Sequence, residues 1–81
     1  MSDNILPLIY TFSKKFSDPK TNLAFEPKNN NISAIVKEGN VNIFLQVSNQ
    51  EPILYKEILS LLKHDIENIP EVLSVNIALT F

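Results

Sequence analysis

The only glycine of the chain, Gly39, stands between two short apolar-rich runs that have the character of β-strands. Together with Asn40 it forms a pair that tolerates the positive φ angles of a tight hairpin turn. The sequence therefore predicts an antiparallel hairpin with strands at 32–37 and 41–47. Any fold of this chain has to accommodate that hairpin.

The predicted turn also fixes the register, if Glu38 pairs with Val41. Alternate residues of a strand point to opposite faces of the sheet, so each pair can be assigned to a face. On one face Val36 then lies opposite Ile43, Ala34 opposite Leu45 and Ile32 opposite Val47; on the other, Ile35 lies opposite Phe44 and Ser33 opposite Gln46. The first set is continuous and apolar, which predicts that it faces the core.

Helical patterns flank the hairpin on both sides. Apolar residues with helical spacing predict a first helix over 4–16, with Asn4 as its N-cap and Pro7 in its first turn. A second amphipathic helix is predicted over 52–69, and an alternating strand over 72–80. Apolar residues of the two helices are Ile5, Leu8, Ile9, Phe12 and Phe16 in the first, and Leu54, Tyr55, Ile58, Leu62, Ile66 and Ile69 in the second.

The order helix, strand, strand, helix, strand predicts an α+β fold, a two-layer sandwich in one domain spanning 1–81. Residues 20–31 are predicted to form a loop, because they are rich in turn formers. A right-handed crossover returns the third strand parallel to the second. We expect that strand beside the first one, which gives the spatial order 2-1-3 in a three-stranded mixed sheet, with both helices on one face.

Composition excludes several kinds of chemistry. The chain has no cysteine, which excludes a thiolate metal site, and its formal charge of −2 provides no basic stripe for a nucleic-acid backbone. No apolar run approaches the ~20 residues of a membrane span, and the acidic N-terminus is unlike a signal peptide. We expect a cytoplasmic protein-binding domain with no enzymatic activity, no metal or cofactor of its own, and no nucleic-acid or membrane partner.

Short motifs occur in a defined order along the chain. Asp18-Pro19 follows the first helix, Ile69-Pro70-Glu71-Val72 closes the second, and Leu79-Thr80 ends the last strand. In order and spacing they resemble the iron–sulfur cluster assembly domain at the N-terminus of Mrp/ApbC-type cluster-carrier ATPases. The resemblance extends from Phe12 to Thr80.

The resemblance implies an auxiliary, protein-binding role in iron–sulfur cluster delivery. In that family the domain precedes a P-loop ATPase with a two-cysteine cluster site, so the cluster and ATP are implied for a full-length parent only. The implied partners are that ATPase domain in cis or client apoproteins. Lys20 stands where the family has an acid and Glu71 where it has a glycine, and the cysteine of many standalone members is missing. We therefore expect the domain to hold no cluster.

Four residues are candidates for partner binding: Asp18, Pro19, Ile35 and Phe44. Each has a simpler explanation, because Asp18-Pro19 also stops a helix and Ile35 and Phe44 also stabilise a strand pair. Two other functions stay open at this point. One is a small regulatory or ligand-binding α+β module, and the other is an adaptor that forms a homodimer through its sheet.

Overall fold

A computed structural model describes residues 5–48 and 51–81 of the chain. It has the α+β class that the sequence predicts, with two α-helices and a three-stranded mixed sheet. The elements in chain order are α1 (Ile5–Ser13), a 3-10 helix (Pro27–Asn29), β1 (Ile32–Lys37), β2 (Asn40–Gln46), a second 3-10 helix (Pro52–Tyr55), α2 (Lys56–Glu67) and β3 (Ser74–Thr80). The predicted N-cap Asn4 lies outside the described residues.

The strand order is β1-β2-β3, so the predicted order 2-1-3 is wrong. β2 pairs antiparallel with β1 and parallel with β3. The central position suits the strand with the most completely buried face, because neighbouring strands and the helix layer cover a central strand along its whole length. Val41, Ile43 and Leu45 of β2 are essentially fully buried, whereas the core-facing residues of β1 are half-buried. Since α2 connects β2 to β3, a short crossover also places these two strands side by side.

The hairpin turn consists of Glu38-Gly39, so the prediction of Gly39-Asn40 is wrong. Lys37 pairs with Asn40, and Val36 pairs with Val41. The register is therefore displaced by two residues from the predicted one, and every side chain keeps its predicted face. Both turn residues have positive φ angles, 52° for Glu38 and 82° for Gly39, as a type I′ turn requires.

A contact with another part of the chain fixes the glycine in the second position of the turn. The Gly39 carbonyl accepts a hydrogen bond from the Leu73 N–H at 2.7 Å. A Cβ atom at Gly39 would lie 2.8 Å from the Glu71 carbonyl oxygen, which is shorter than a non-bonded contact between carbon and oxygen allows. The hairpin turn is thus docked on the loop before β3, and only glycine fits there.

Glu38 adopts a left-handed backbone conformation, which is unfavourable for a glutamate. Asparagine tolerates the left-handed conformation better, so Glu38→Asn should raise the free energy of unfolding by about 0.5–1 kcal/mol. Urea unfolding followed by circular dichroism measures this change. Glu38→Ala is the matched control, because it removes the charge and keeps the unfavourable conformation. An equal gain from alanine would attribute the effect to charge instead of the turn.

The first helix is shorter than predicted, ending at Ser13 instead of residue 16. The Ser13 hydroxyl is buried and donates to the Phe25 carbonyl at 2.7 Å, which ties the helix end to the following segment. Phe25 is itself fully buried, and its N–H donates to the Phe16 carbonyl at 3.0 Å. The predicted loop at 20–31 is therefore anchored in the core and contains a short 3-10 helix.

Both helices pack on the same face of the sheet, as predicted, and they also pack against each other. The second helix begins with a 3-10 turn and continues as α2 to Glu67, and β3 begins at Ser74 instead of residue 72. The buried core comprises Ile5, Ile9, Phe25, Val41, Ile43, Leu45, Val47, Tyr55, Leu62, Ile66, Ile69 and Val75. The opposite face of the sheet is left without a covering layer among the described residues.

Candidate protein-docking face

The uncovered face of the sheet, here called the open face, is formed by the alternate residues that point away from the helices. Its members are Ser33, Ile35 and Lys37 of β1, Asn40, Asn42, Phe44 and Gln46 of β2, and Ser74, Asn76, Ala78 and Thr80 of β3. Lys37 is the one charged residue among these strand positions. A water-facing sheet surface usually carries several charges, whereas the centres of protein interfaces are depleted of them.

Two of the predicted partner-binding residues lie at the middle of the open face. Ile35 is 57% exposed and Phe44 is 38% exposed. The prediction that they lie directly opposite each other is wrong, because Ile35 pairs with Asn42 and Phe44 pairs with Ser33. Diagonal neighbours of this kind are still within reach of an aromatic ring.

Ala78 lies beside Phe44 on the other side, in the β2–β3 pairing. Ile35, Phe44 and Ala78 therefore span all three strands, and we call them the Phe44 patch. The patch is an apolar area bordered by uncharged polar side chains except at Lys37, the next residue of β1 on this face, so a partner can cover its centre at a low desolvation cost.

The other two candidates, Asp18 and Pro19, separate in the structure. Pro19 is exposed, whereas the Asp18 side chain is 3% exposed and is directed inwards. Its Oδ1 accepts from the Lys20 N–H at 2.8 Å, and its Oδ2 accepts from the Ser48 N–H and hydroxyl, both at 3.1 Å. The Tyr55 hydroxyl lies 3.2 Å from both oxygens. Asp18 therefore acts as an internal acceptor and is closed to direct contact with a protein partner.

These bonds join three parts of the chain: the loop after α1, the end of β2 and the beginning of the second helical segment. We call Asp18, Ser48 and Tyr55 the carboxylate clasp. Burial by itself raises the pKa of the Asp18 carboxyl, but the hydrogen bonds from Lys20, Ser48 and Tyr55 outweigh it and hold the pKa below its ordinary value. The charged form is therefore the one that the folded state stabilises.

The clasp borders a shallow depression of about 180 Å3 at the end of the sheet, lined also by Thr21, Leu23, Asn31, Gln46 and Val47. Gln46 belongs to the open face as well, so the depression lies next to one end of that face. Sequence reasoning identified Asp18 and missed Ser48 and Tyr55. The available signal was a tyrosine at a core position of the second helix, because a buried hydroxyl needs a partner.

Comparisons with protein-family models, curated proteins and solved structures gave no match to this chain. The resemblance to the cluster assembly domain therefore stays a prediction from sequence motifs. In the ranges 5–48 and 51–81 no helix has the length and apolar character to cross a membrane. The same ranges contain no cluster of acidic or histidine side chains suited to a metal ion.

Proposed function

We propose that this chain is a protein-binding domain that acts in iron–sulfur cluster delivery and docks its partner on the open face. The observation that carries the binding role is the Phe44 patch, an exposed apolar area on a sheet surface with one charged residue. Covering such a patch stabilises a complex by ~25 cal/mol per Å2 of apolar surface removed from water. No charged group at its centre has to be desolvated.

The choice of partner is supported by the sequence motifs. Asp18-Pro19, Ile69-Pro70 and Leu79-Thr80 follow the order found in assembly domains of Mrp/ApbC-type carriers. The proposed partner is accordingly a P-loop ATPase domain of that class, in cis or in trans, or a client apoprotein. The domain supplies a docking surface in a cytoplasmic delivery system, and the cluster and the nucleotide are held by the partner.

Phe44→Ser tests the docking face. The substitution should weaken binding to a carrier ATPase of the Mrp/ApbC type from the same genome by ten-fold or more, because it removes the apolar centre of the surface. It should lower the free energy of unfolding by only about 1 kcal/mol, since Phe44 is partly exposed in the free domain. Isothermal titration with the cluster-loaded ATPase, together with urea unfolding, measures both quantities.

Leu61→Ser is the matched control, because Leu61 is also a partly exposed apolar residue and lies on α2, in the other layer. It should leave the affinity unchanged. If Phe44→Ser lowers stability and leaves the affinity intact, the open face is not the docking surface. If the unsubstituted domain does not bind the ATPase at all, the ATPase domain is not its partner, and absence of binding to client apoproteins as well would overturn the proposed role in cluster delivery.

A further inference from the structure

The outer edge of β3 presents unpaired backbone groups. Two hydrogen bonds show which residues of β3 direct their backbone N–H and C=O groups towards β2: Ser74 N–H donates to the Gly39 carbonyl, and Val47 N–H donates to the Thr80 carbonyl. They are the even-numbered ones. Val75, Ile77 and Leu79 therefore direct their N–H and C=O groups away from the sheet. Within the described residues these groups have no hydrogen-bond partner.

Natural edge strands usually carry a feature that blocks the addition of another strand, such as a lysine, a proline, a bulge or a very short length. β3 has seven residues in unbroken pairing with β2 and contains no charged residue, no proline and no glycine. Its sequence, Ser-Val-Asn-Ile-Ala-Leu-Thr, consists of apolar and small polar residues. The edge is thus open to backbone pairing along its length.

Two of the three core-facing side chains of β3 are also incompletely covered. Ile77 and Leu79 point to the helix layer, but each is only half-buried, whereas the equivalent residues of β2 are fully buried. α2 packs on β3 without enclosing these two side chains. An added strand would cover them and would satisfy the outward backbone groups in the same step.

We propose that the occupant of this edge is a second copy of the chain, paired antiparallel through β3 about a twofold axis at Ile77. The axis places Ile77 opposite its own counterpart and Val75 opposite Leu79 of the other copy, so that apolar residues meet on the helix side. On the open face Ser74 lies opposite Thr80, and Asn76 lies opposite Ala78. No like charges face each other at any position, which makes the strand complementary to itself.

The resulting dimer has one continuous six-stranded sheet, with the two α2 helices next to each other in the helix layer. Val75, Ile77 and Leu79 of each copy donate and accept one backbone hydrogen bond across the axis. Ile35 and Phe44 of each copy stay uncovered, because the new contact lies at the sheet edge, and Ala78 is the one patch residue that gains a neighbour in the other copy. The dimer therefore leaves the centre of the proposed docking surface accessible.

A pair of charge variants tests this register. In Ser74→Lys/Thr80→Lys, each new lysine faces a lysine of the other copy at both ends of the strand pair. In Ser74→Lys/Thr80→Glu, each lysine faces a glutamate. Both variants lose the hydrogen bond from the Ser74 hydroxyl to Asn40, so they differ only in the sign of one charge.

Analytical ultracentrifugation over a range of protein concentrations should show a monomer–dimer equilibrium for the unsubstituted chain. The dimer dissociation constant should be roughly ten-fold larger for the lysine–lysine variant than for the lysine–glutamate variant at low salt, and the gap should narrow at high salt. A chain that is monomeric at all concentrations up to the millimolar range overturns the proposal. So does a dimer that forms equally well in both variants.

Amide hydrogen exchange followed residue by residue identifies the surface directly. The N–H groups of Asn76 and Ala78 point to β2 and should be protected at every concentration. Those of Val75, Ile77 and Leu79 should become protected only at concentrations where the dimer forms. A dimer in which these three amides stay unprotected uses another surface, and the proposal is then wrong.

Discussion

Leu62→Ala should destabilise the fold by about 2–5 kcal/mol, because it removes a large side chain from the centre of the core and leaves a cavity. Leu62 is 0% exposed and lies on the face of α2 that meets the sheet. A single core of this size gives a margin of only ~3–5 kcal/mol, so the variant should be close to unfolding at room temperature. Urea unfolding followed by circular dichroism gives the difference.

The neighbouring residue offers a matched control. Leu61 lies one position away on the same helix but is 47% exposed. Leu61→Ala makes the same chemical change with the same effect on helix propensity, and should cost less than about 1 kcal/mol. Equal losses for the two variants would mean that α2 packs on the sheet through a different face.

Asp18→Asn should lower the free energy of unfolding by about 2–3 kcal/mol at neutral pH. The charged carboxylate accepts bonds from Lys20, Ser48 and Tyr55, whereas the amide turns a donor towards some of those donors. The loss of stability is smaller than that expected from removing the whole clasp, because the single oxygen of the asparagine amide still accepts a hydrogen bond. Urea unfolding at pH 7 measures the cost.

The same variant changes how stability depends on pH. Because the pKa of Asp18 is lower in the folded state than its ordinary value of 3.8, the folded state releases this proton more readily than the unfolded chain. The contribution of the Asp18 carboxylate to the free energy of unfolding is fully present above the pKa of the unfolded chain and is lost as the pH falls through the pKa of the folded state. The stability difference between the unsubstituted chain and Asp18→Asn should therefore be constant from pH 7 to about pH 5 and shrink below about pH 4.

A second carboxylate of the same segment serves as the reference. Glu26→Gln removes a charge close by in sequence, outside the clasp. It should change stability at neutral pH by no more than about 0.5 kcal/mol. If Asp18→Asn behaves like Glu26→Gln across the pH range, the clasp does not stabilise the fold.

The parts of the fold that depend on local pattern could be predicted from the sequence. The bounds of β1 agree with the predicted strand, and Leu62 and Ile66 lie in the core as the helical spacing indicates. Side-chain alternation also assigned Phe44 to the open face. A register displaced by two residues preserves this assignment, so the error in the turn did not affect the candidate surface.

The parts that failed depend on contacts between distant segments. The turn position follows from the docking of Gly39 on Glu71 and Leu73, more than thirty residues along the chain. The sheet order depends on the relative burial of whole strands, which cannot be read from any short stretch of the sequence. The inward direction of Asp18 is set by Ser48 and Tyr55, at separations of 30 and 37 residues. The core position of Tyr55 indicates that its hydroxyl needs a partner, but nothing in the sequence shows that this partner is Asp18.

The long separations within the carboxylate clasp have a consequence for the order of folding events. Ser48 follows β2 and Tyr55 precedes α2, so we expect both to reach Asp18 only after the hairpin has formed and the second helical segment has docked. Closing such a long connection costs entropy that the clasp recovers only at the end. We therefore expect its bonds to be absent from the folding transition state. The clasp then slows the opening of the native domain and leaves the speed of its formation nearly unchanged.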